Sequence, residues 1–532
     1  MAALTATVGA KTGSTGKSYP CEALSSWPSE ASARPTVQGR ASALFLFAAL
    51  IVCIVVGLFE YWPGLRGKYY SDDYQFYFTP AQGGLFHYFF HRNPQNPYAY
   101  RPIEATFLLC VQRLCGQETL PIHLTQVLLH ALMGWLIMVW MLKQGFSRLQ
   151  GAFGALFMLV SQANVAAVIS NDTFSQLACA LSGYASLWLF HGLLVDESVK
   201  PLSLRASLCY LASLALFGIS LLAKESGLAF LPISLTLIAY HTVRNWTGPG
   251  SLARGILLAA PFVLTVFLYF GLRSRLELSP AEFGPQRYQM HLGLNILGNL
   301  SLFAAQALVP MSSVEVFCAA KAGDYSMLAV AASGCAFACV LIACYGWRRR
   351  AWLYTVTLGT FAVLSVFPLT LLNRVSELYV YNAMPFVSVL LGCAAGWAVV
   401  SDCRGWTRAI ASLFITLILL GQTSASRTKT ESMALNGERS AQLIDSLQPY
   451  LANLPRNGQL LLLNPIGERP DYSIYIMNGF NVLACSQEYI KRTAGRGDVD
   501  LKIVQRLPAD LEERTLVLTR REGRLVPYLR PE

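Results

Sequence analysis

Two adjacent carboxylates follow the first apolar run of the chain. Asp72 and Asp73 stand in the segment YYSDDYQFYF. Neighbouring carboxylates repel each other, and crowding with partial burial raises a carboxyl pKa towards the range in which it serves as a general base. One carboxylate could take a proton while the other orients an acceptor or holds a cation. A solvated acidic turn is the alternative interpretation of the same pair.

Basic residues that suit a phosphate lie further along the chain. Arg101 stands in YRP between Tyr100 and Pro102. The planar guanidinium fork donates two parallel hydrogen bonds to a phosphate, and a proline fits the first turn of a helix. Anchoring to lipid headgroups is the alternative role for this arginine.

Lys224 and Glu225 interrupt an apolar hairpin, LLAKESGLAFLP. Charges at such a position in a membrane protein need partners or a water-filled cavity. A lysine that reaches a phosphate is one hypothesis, and a plain turn between two helices is the other. Further polar residues stand in ISNDTF and NRVSELYVYNAMP, namely Asn171, Asp172, Arg374, Glu377, Tyr379 and Tyr381.

Two histidines lie seven residues apart in PIHLTQVLLHAL. His123 and His130 share one face of a helix, about two turns apart. A pair of metal ligands on a helix usually has a spacing of four residues. The spacing therefore favours histidines that are hydrogen bonded in the interior over metal ligands.

The composition defines the elements that must position these residues. Of 532 residues, only 13% are charged and 54% are apolar, whereas about 25% charged residues is usual for soluble proteins. Residues 425–532 carry 28 of the 71 charges (15 basic and 13 acidic), so most of the remaining chain is apolar. A soluble enzyme, a disordered chain and a collagen-like fibre are excluded. The net charge of +11 fits basic membrane loops; no dense basic patch suggests nucleic-acid binding.

Apolar runs of roughly 17–22 residues predict an all-α polytopic membrane protein with about eleven spans. The runs lie at about 42–59, 121–142, 150–168, 175–195, 206–222, 227–243, 255–272, 326–346, 352–372, 383–400 and 407–424. A twelfth stretch, 289–309, either crosses, re-enters or lies along the interface. Basic clusters between the runs predict a cytoplasmic N-terminus.

This topology divides the chain into three parts. Residues 1–40 form a polar cytoplasmic tail that we expect to be disordered, and residues 41–424 form the membrane domain. The membrane domain has two large external loops, 60–120 with interfacial helices and 273–325. Residues 425–532 are predicted to form a small α/β domain outside the cytoplasm, with a helix at 431–453 and strands at 459–463, 500–504, 515–519 and 524–528.

All the polar motifs reach the same outer face in this topology. A channel needs charge through the bundle, and a transporter needs broken spans with polar groups at the midplane. The spans carry few such groups. Polar chemistry at one interface instead fits an enzyme that uses a lipid-borne substrate.

In these motifs the sequence resembles the GT-C class of polytopic glycosyltransferases. It looks most like the O-mannosyltransferase-type proteins that carry tetratricopeptide repeats, and their bacterial relatives. The resemblance rests on the acidic pair, on YRP, on GQETLPIHLTQVLLHA, on AKESGLAFLP and on the late ELYVY turn. The repeats themselves are absent here. Leu378 stands where the family has an arginine, and Arg374 one turn earlier is a candidate substitute.

The resemblance implies a polyprenyl- or dolichyl-phosphate-linked sugar as donor. It implies that Asp73, or else Asp72, is the base in an inverting single displacement, with Arg101 and Lys224 stabilising the phosphate. Further substrate-binding candidates are Tyr100, Glu225, Arg374, Tyr381, His123 and Asn171. No cofactor and no metal are expected.

The sequence therefore predicts a hexosyltransferase of the cell envelope. The acceptor hydroxyl would belong to a protein, a lipid or an envelope glycan at the outer face of a bacterial inner membrane, and the sugar would be a hexose such as mannose. Membrane lipid is a further expected partner, and nucleic acid is not. A flippase of lipid-linked saccharides and a non-catalytic assembly protein are the alternatives.

Overall fold

The computed structural model describes residues 43–74, 84–93, 99–195, 203–245, 248–276, 290–372, 375–400, 405–464, 475, 477, 479–511, 513–521 and 524–528. The helices are α1 Ala43–Tyr61, α2 His87–Phe90, α3 Pro102–Cys115, α4 Leu120–Lys143, α5 Arg148–Val160, α6 Val165–Ile169, α7 Phe174–Val195, α8 Leu204–Ala223, α9 Phe230–Arg244, α10 Pro249–Ser274, α11 Asn295–Leu308, α12 Ser313–Lys321, α13 Ser326–Arg348, α14 Trp352–Thr370, α15 Met384–Val400, α16 Gly405–Asn453 and α17 Gln487–Thr493. Short 3-10 helices occupy Trp62–Gly64, Gln162–Asn164, Asn171–Thr173, Glu225–Ala229, Glu377–Asn382 and Gly479–Leu483.

Most of the helices have the length and composition of membrane spans. In the described part of the chain, nine helices are long and apolar enough to cross a membrane, and a tenth results if α5 and α6 form one span bent by 47°. The apolar α15 has 17 residues. Each of the eleven predicted runs therefore contains an apolar helix, and the chain is an integral membrane protein. The twelfth stretch contains only the 14-residue α11, which is shorter than the roughly 20 residues that a straight span needs.

The C-terminal strands form one mixed sheet. Strands β1 Gln459–Leu463, β2 Asp500–Val504, β3 Thr515–Arg521 and β4 Arg524–Pro527 lie in the order β2-β1-β3-β4. The first three strands are parallel, and β4 is antiparallel to β3. The central β1 is rich in buried leucines, as expected for a strand with both faces covered.

The long helix α16 joins the membrane domain to the sheet. The sequence suggests a span at 407–424 and a separate helix at 431–453, whereas the structure has one continuous helix of 49 residues. Its far end packs on the sheet, where the Tyr450 hydroxyl donates to the carbonyl of Leu525 at 3.1 Å. Its middle contacts the chain just before the acidic pair, since a Cβ atom on Gly437 would lie 2.3 Å from the carbonyl oxygen of Lys68.

Candidate active site

The Asp73 carboxylate is buried in a tight turn between α1 and α2. Its Oδ2 atom accepts two hydrogen bonds, from the backbone N–H of Tyr70 at 3.1 Å and from the Asn171 side-chain amide at 2.8 Å. Burial raises the pKa of Asp73 well above its usual range, and the nearby Asp172 carboxylate raises it further, while the two hydrogen bonds act in the opposite direction. In the described contacts Oδ1 accepts no hydrogen bond, so this oxygen is the one that can take a proton.

Asp72 has a different environment, because its side chain is exposed. The Cys485 thiol donates to its Oδ1 atom at 3.7 Å. The turn itself is held from the C-terminal domain, since the Ser71 N–H donates to the Val482 carbonyl at 2.8 Å. The ring of Tyr74 stacks on Tyr489 with the centroids 5.2 Å apart. The C-terminal domain therefore forms one wall beside the acidic pair.

Arg101 lies at the start of α3 in an ion pair that reaches the turn after α8. Its Nε and Nη2 atoms donate to the two carboxylate oxygens of Glu225 at 2.9 and 2.5 Å. Glu104 is 3.7 Å away on the next turn of α3. Burial acts to lower the pKa of Arg101, but the Glu225 carboxylate outweighs it and the net shift is upward. The guanidinium is therefore a fixed positive charge.

Lys224 lies beside this pair and is only 5% exposed. Within the described residues, its ammonium makes no hydrogen bond or ion pair, although Glu225 and Asp172 are near enough to interact with it electrostatically. Burial lowers the pKa of Lys224, and the Arg101 charge lowers it further. Asp172 interacts electrostatically with Asp73 as well. The candidate base and the buried lysine therefore both interact with the same acidic side chain.

Three other residues predicted to bind substrate make hydrogen bonds within the protein. The Tyr100 hydroxyl donates to the Phe89 carbonyl at 3.1 Å, and His123 Nε2 lies 3.1 Å from the Gly67 carbonyl oxygen. The Tyr381 hydroxyl lies 2.9 Å from Nδ1 of His130. Both histidines are thus hydrogen bonded in the interior, as their spacing predicts. Arg374 lies outside the described residues.

A buried ion pair near the late turn was missed from the sequence. Lys429 of α16 contacts the Glu377 carboxylate at 2.5 Å, and it also donates to the side chain of Gln162. Ser312 and Ser313 donate to the same glutamate. Burial acts to raise the pKa of Glu377, but Lys429 outweighs it and the net shift is downward. The sequence assigns Lys429 to a separate C-terminal domain, so its contact with the membrane domain could not be predicted from the sequence.

The comparisons with known proteins define the fold. No protein-family model and no curated protein matches the sequence. ArnT from Cupriavidus metallidurans in the apo state superposes with a TM-score of 0.51 and 16% identity over 86% of each chain. ArnT bound to undecaprenyl phosphate gives 0.45 and 15%, over 87% of this chain and 90% of that one. The apo oligosaccharyltransferase of Archaeoglobus fulgidus gives 0.47 and 10%, over 86% of this chain and 64% of that one.

The superposition on apo ArnT shows that this chain shares the fold of that protein, which is consistent with the GT-C fold that the motif resemblance implied.

Proposed function

We propose that this protein is a membrane glycosyltransferase that takes a sugar from a polyprenyl phosphate and transfers it to a hydroxyl group. The observation that carries the proposal is a buried carboxylate, Asp73, hydrogen bonded to Asn171, together with the buried Lys224, to whose ammonium no described residue is hydrogen bonded; Asp172 interacts electrostatically with both. A base and a cation in one site are what a displacement with a phosphate leaving group requires.

The donor assignment is supported by Lys224 and by the fold. A buried ammonium is costly unless an anion meets it, and no described residue forms an ion pair with Lys224. Arg101 adds a second positively charged group, and its two hydrogen bonds to Glu225 fix the orientation of the guanidinium. ArnT, which has the same fold, has been solved with undecaprenyl phosphate bound. A polyprenyl phosphate that carries a sugar is therefore the proposed donor.

The proposed reaction is a single displacement. Oδ1 of Asp73 takes the proton of the acceptor hydroxyl, whose oxygen attacks the anomeric carbon of the sugar. The bond from that carbon to the phosphate oxygen breaks, and the electron pair leaves with the phosphate. Lys224 and Arg101 stabilise the charge on the departing phosphate, and the anomeric configuration is inverted. The base works only when it is ionised, so its raised pKa sets the lower pH limit of the reaction.

The remaining details complete the proposal. The sugar is a hexose, and the acceptor hydroxyl belongs to a protein, a lipid or an envelope glycan. The site faces the periplasm of a bacterial inner membrane, and no metal takes part. Asp72, exposed and beside Cys485, lies where it can orient the acceptor.

The test compares Asp73→Asn with Asp72→Asn in purified full-length protein in nanodiscs. The first variant should lose transfer of a radiolabelled hexose from its polyprenyl phosphate to membrane acceptors by about 10²–10⁴-fold, the usual contribution of a general base. The second should lose less, and both should still bind polyprenyl phosphate. Lys224→Met should instead weaken donor binding. Full activity in Asp73→Asn would overturn the assignment.

A further inference from the structure

A cavity lies at the end of the helix bundle far from Asp73. It is enclosed by α4, α7, α9, α14 and α15, and it is lined by aromatic and aliphatic side chains that include Trp140, Tyr184 and Phe361. Its volume is about 40 Å³, with further space at its open side, so it has room for a segment of a hydrocarbon chain. Trp140 lies 17 residues after His123 on α4, so the cavity is about 26 Å further along that helix.

The cavity opens beside two basic residues. Of the residues that line it, Trp188 and Thr357 are the partly exposed ones, and they mark the open side. The Lys143 ammonium lies 4.2 Å from the centroid of the Trp188 ring, and the exposed Arg205 is close enough to repel it electrostatically. Two like charges at the mouth of an apolar cavity are complementary to an anion that carries a hydrocarbon chain.

A polar group lies one helical turn deeper in the cavity. Tyr184 is 3% exposed, and its hydroxyl has no hydrogen-bond partner in the described part of the protein. It precedes Trp188 by four residues on α7, a rise of about 6 Å. A buried hydroxyl without a partner costs free energy unless a ligand supplies an acceptor. In a glycerophospholipid, the carbonyl groups of the carboxylic esters lie just below the phosphate, whereas a polyprenyl phosphate has no ester carbonyl.

We propose that this cavity binds an anionic glycerophospholipid from the leaflet opposite the active site. A segment of one acyl chain enters the space between Trp140 and Phe361, an ester carbonyl accepts a hydrogen bond from Tyr184, and the phosphate meets Lys143 and Arg205. This lipid is distinct from the proposed sugar donor, and the inference stands whether or not the chain transfers sugar.

The charge test measures binding of phosphatidylglycerol to delipidated full-length protein by native mass spectrometry. Lys143→Gln and Arg205→Gln should each weaken binding about fivefold, the usual effect of one basic residue near an anionic lipid. Arg148→Gln is the matched control, because Arg148 stacks on Phe45 instead, 4.7 Å from the ring centroid. An equal loss in the control would show general attraction between charges and would overturn the site.

Two further tests, of the acyl chain and of the ester carbonyl, use the same measurement of lipid binding. Thr357→Trp should fill the open side and remove binding, with an unchanged melting temperature as the check on folding. Tyr184→Phe should weaken binding of the diester lipid about fivefold and leave its diether analogue unaffected. Equal effects on both lipids would refute the hydrogen bond to the ester. Tighter binding of undecaprenyl phosphate than of phosphatidylglycerol, with the same sensitivity to Thr357→Trp, would refute the proposed occupant.

Discussion

The hydrogen bond from Asn171 to Asp73 gives the sharpest test of the proposed base. Leucine is close to asparagine in shape but donates no hydrogen bond, so Asn171→Leu removes the 2.8 Å contact and leaves the carboxylate in place. This bond stabilises the charged form and lowers the pKa of Asp73. Its loss should therefore raise that pKa.

The size of the shift depends on the kind of bond. A hydrogen bond to a charged group contributes about 1.5–3 kcal/mol, and one pKa unit corresponds to about 1.4 kcal/mol. The pKa of Asp73 should rise by about one to two units. Below the pKa of the unmodified protein, kcat/KM for sugar transfer should be about 10- to 100-fold lower in the variant. The difference should shrink between the two pKa values, and above the new pKa the two rates should converge.

Two measurements check this reasoning. The pH profile of kcat/KM gives the acid limb, and infrared difference spectra against Asp73→Asn follow protonation of this carboxyl without any acceptor. Asp172→Asn is the matched control, because it removes a charge that raises the pKa of Asp73 and should move the limb to lower pH. A uniform loss of rate with an unmoved limb in Asn171→Leu would refute the role of Asp73 as base.

Three further predictions concern stability and reactivity. Lys429→Met should lower the free energy of unfolding by about 3–5 kcal/mol in a denaturant titration, since it leaves the Glu377 carboxylate buried without its cation; a loss below about 1 kcal/mol would contradict this. Gly437→Ala should lower the thermal midpoint through the clash with the chain before the acidic pair, whereas Gly298→Ala, with open space around its Cβ, should not. Burial, together with the neighbouring Asp72 carboxylate, raises the pKa of the Cys485 thiol to about 12. Alkylation of Cys485 at pH 8, followed by peptide-level mass spectrometry, should therefore be far slower in the folded than in the unfolded protein. Equal rates would contradict the buried environment of this thiol.

The sequence predicted the elements well because their signals are local. An apolar run of membrane length predicts its own helix, and the strands at 459–463 and 500–504 agree with β1 and β2 at both ends. The 17-residue α15 was also expected. The continuity of α16 was not, since the polar residues after 424 suggest the edge of a domain rather than a helix that continues out of the membrane.

The site was predicted in part. The family motifs named Asp73, Arg101 and Lys224 as candidates, and their roles stay predictions. The topology put Asn171 on the same face as the acidic pair, and the structure has it hydrogen bonded to Asp73. The ion pair of Arg101 with Glu225 joins residues 124 positions apart. The ion pair of Lys429 with Glu377 joins the long helix α16 to the late turn of the membrane domain. Neither partner choice can be deduced from spacing, because each depends on how distant helices pack.

Because α16 is one continuous helix, the number of its residues sets the distance and the rotation of the C-terminal sheet relative to the membrane domain. Each residue added to an α-helix advances the rest of that helix by about 1.5 Å and turns it by about 100°. One residue inserted between Gly421 and Gly437 would therefore swing Val482 away from the Ser71 N–H that it accepts from, and it would carry Cys485 away from Asp72. The exposed part of this helix should consequently tolerate substitutions but not changes in length.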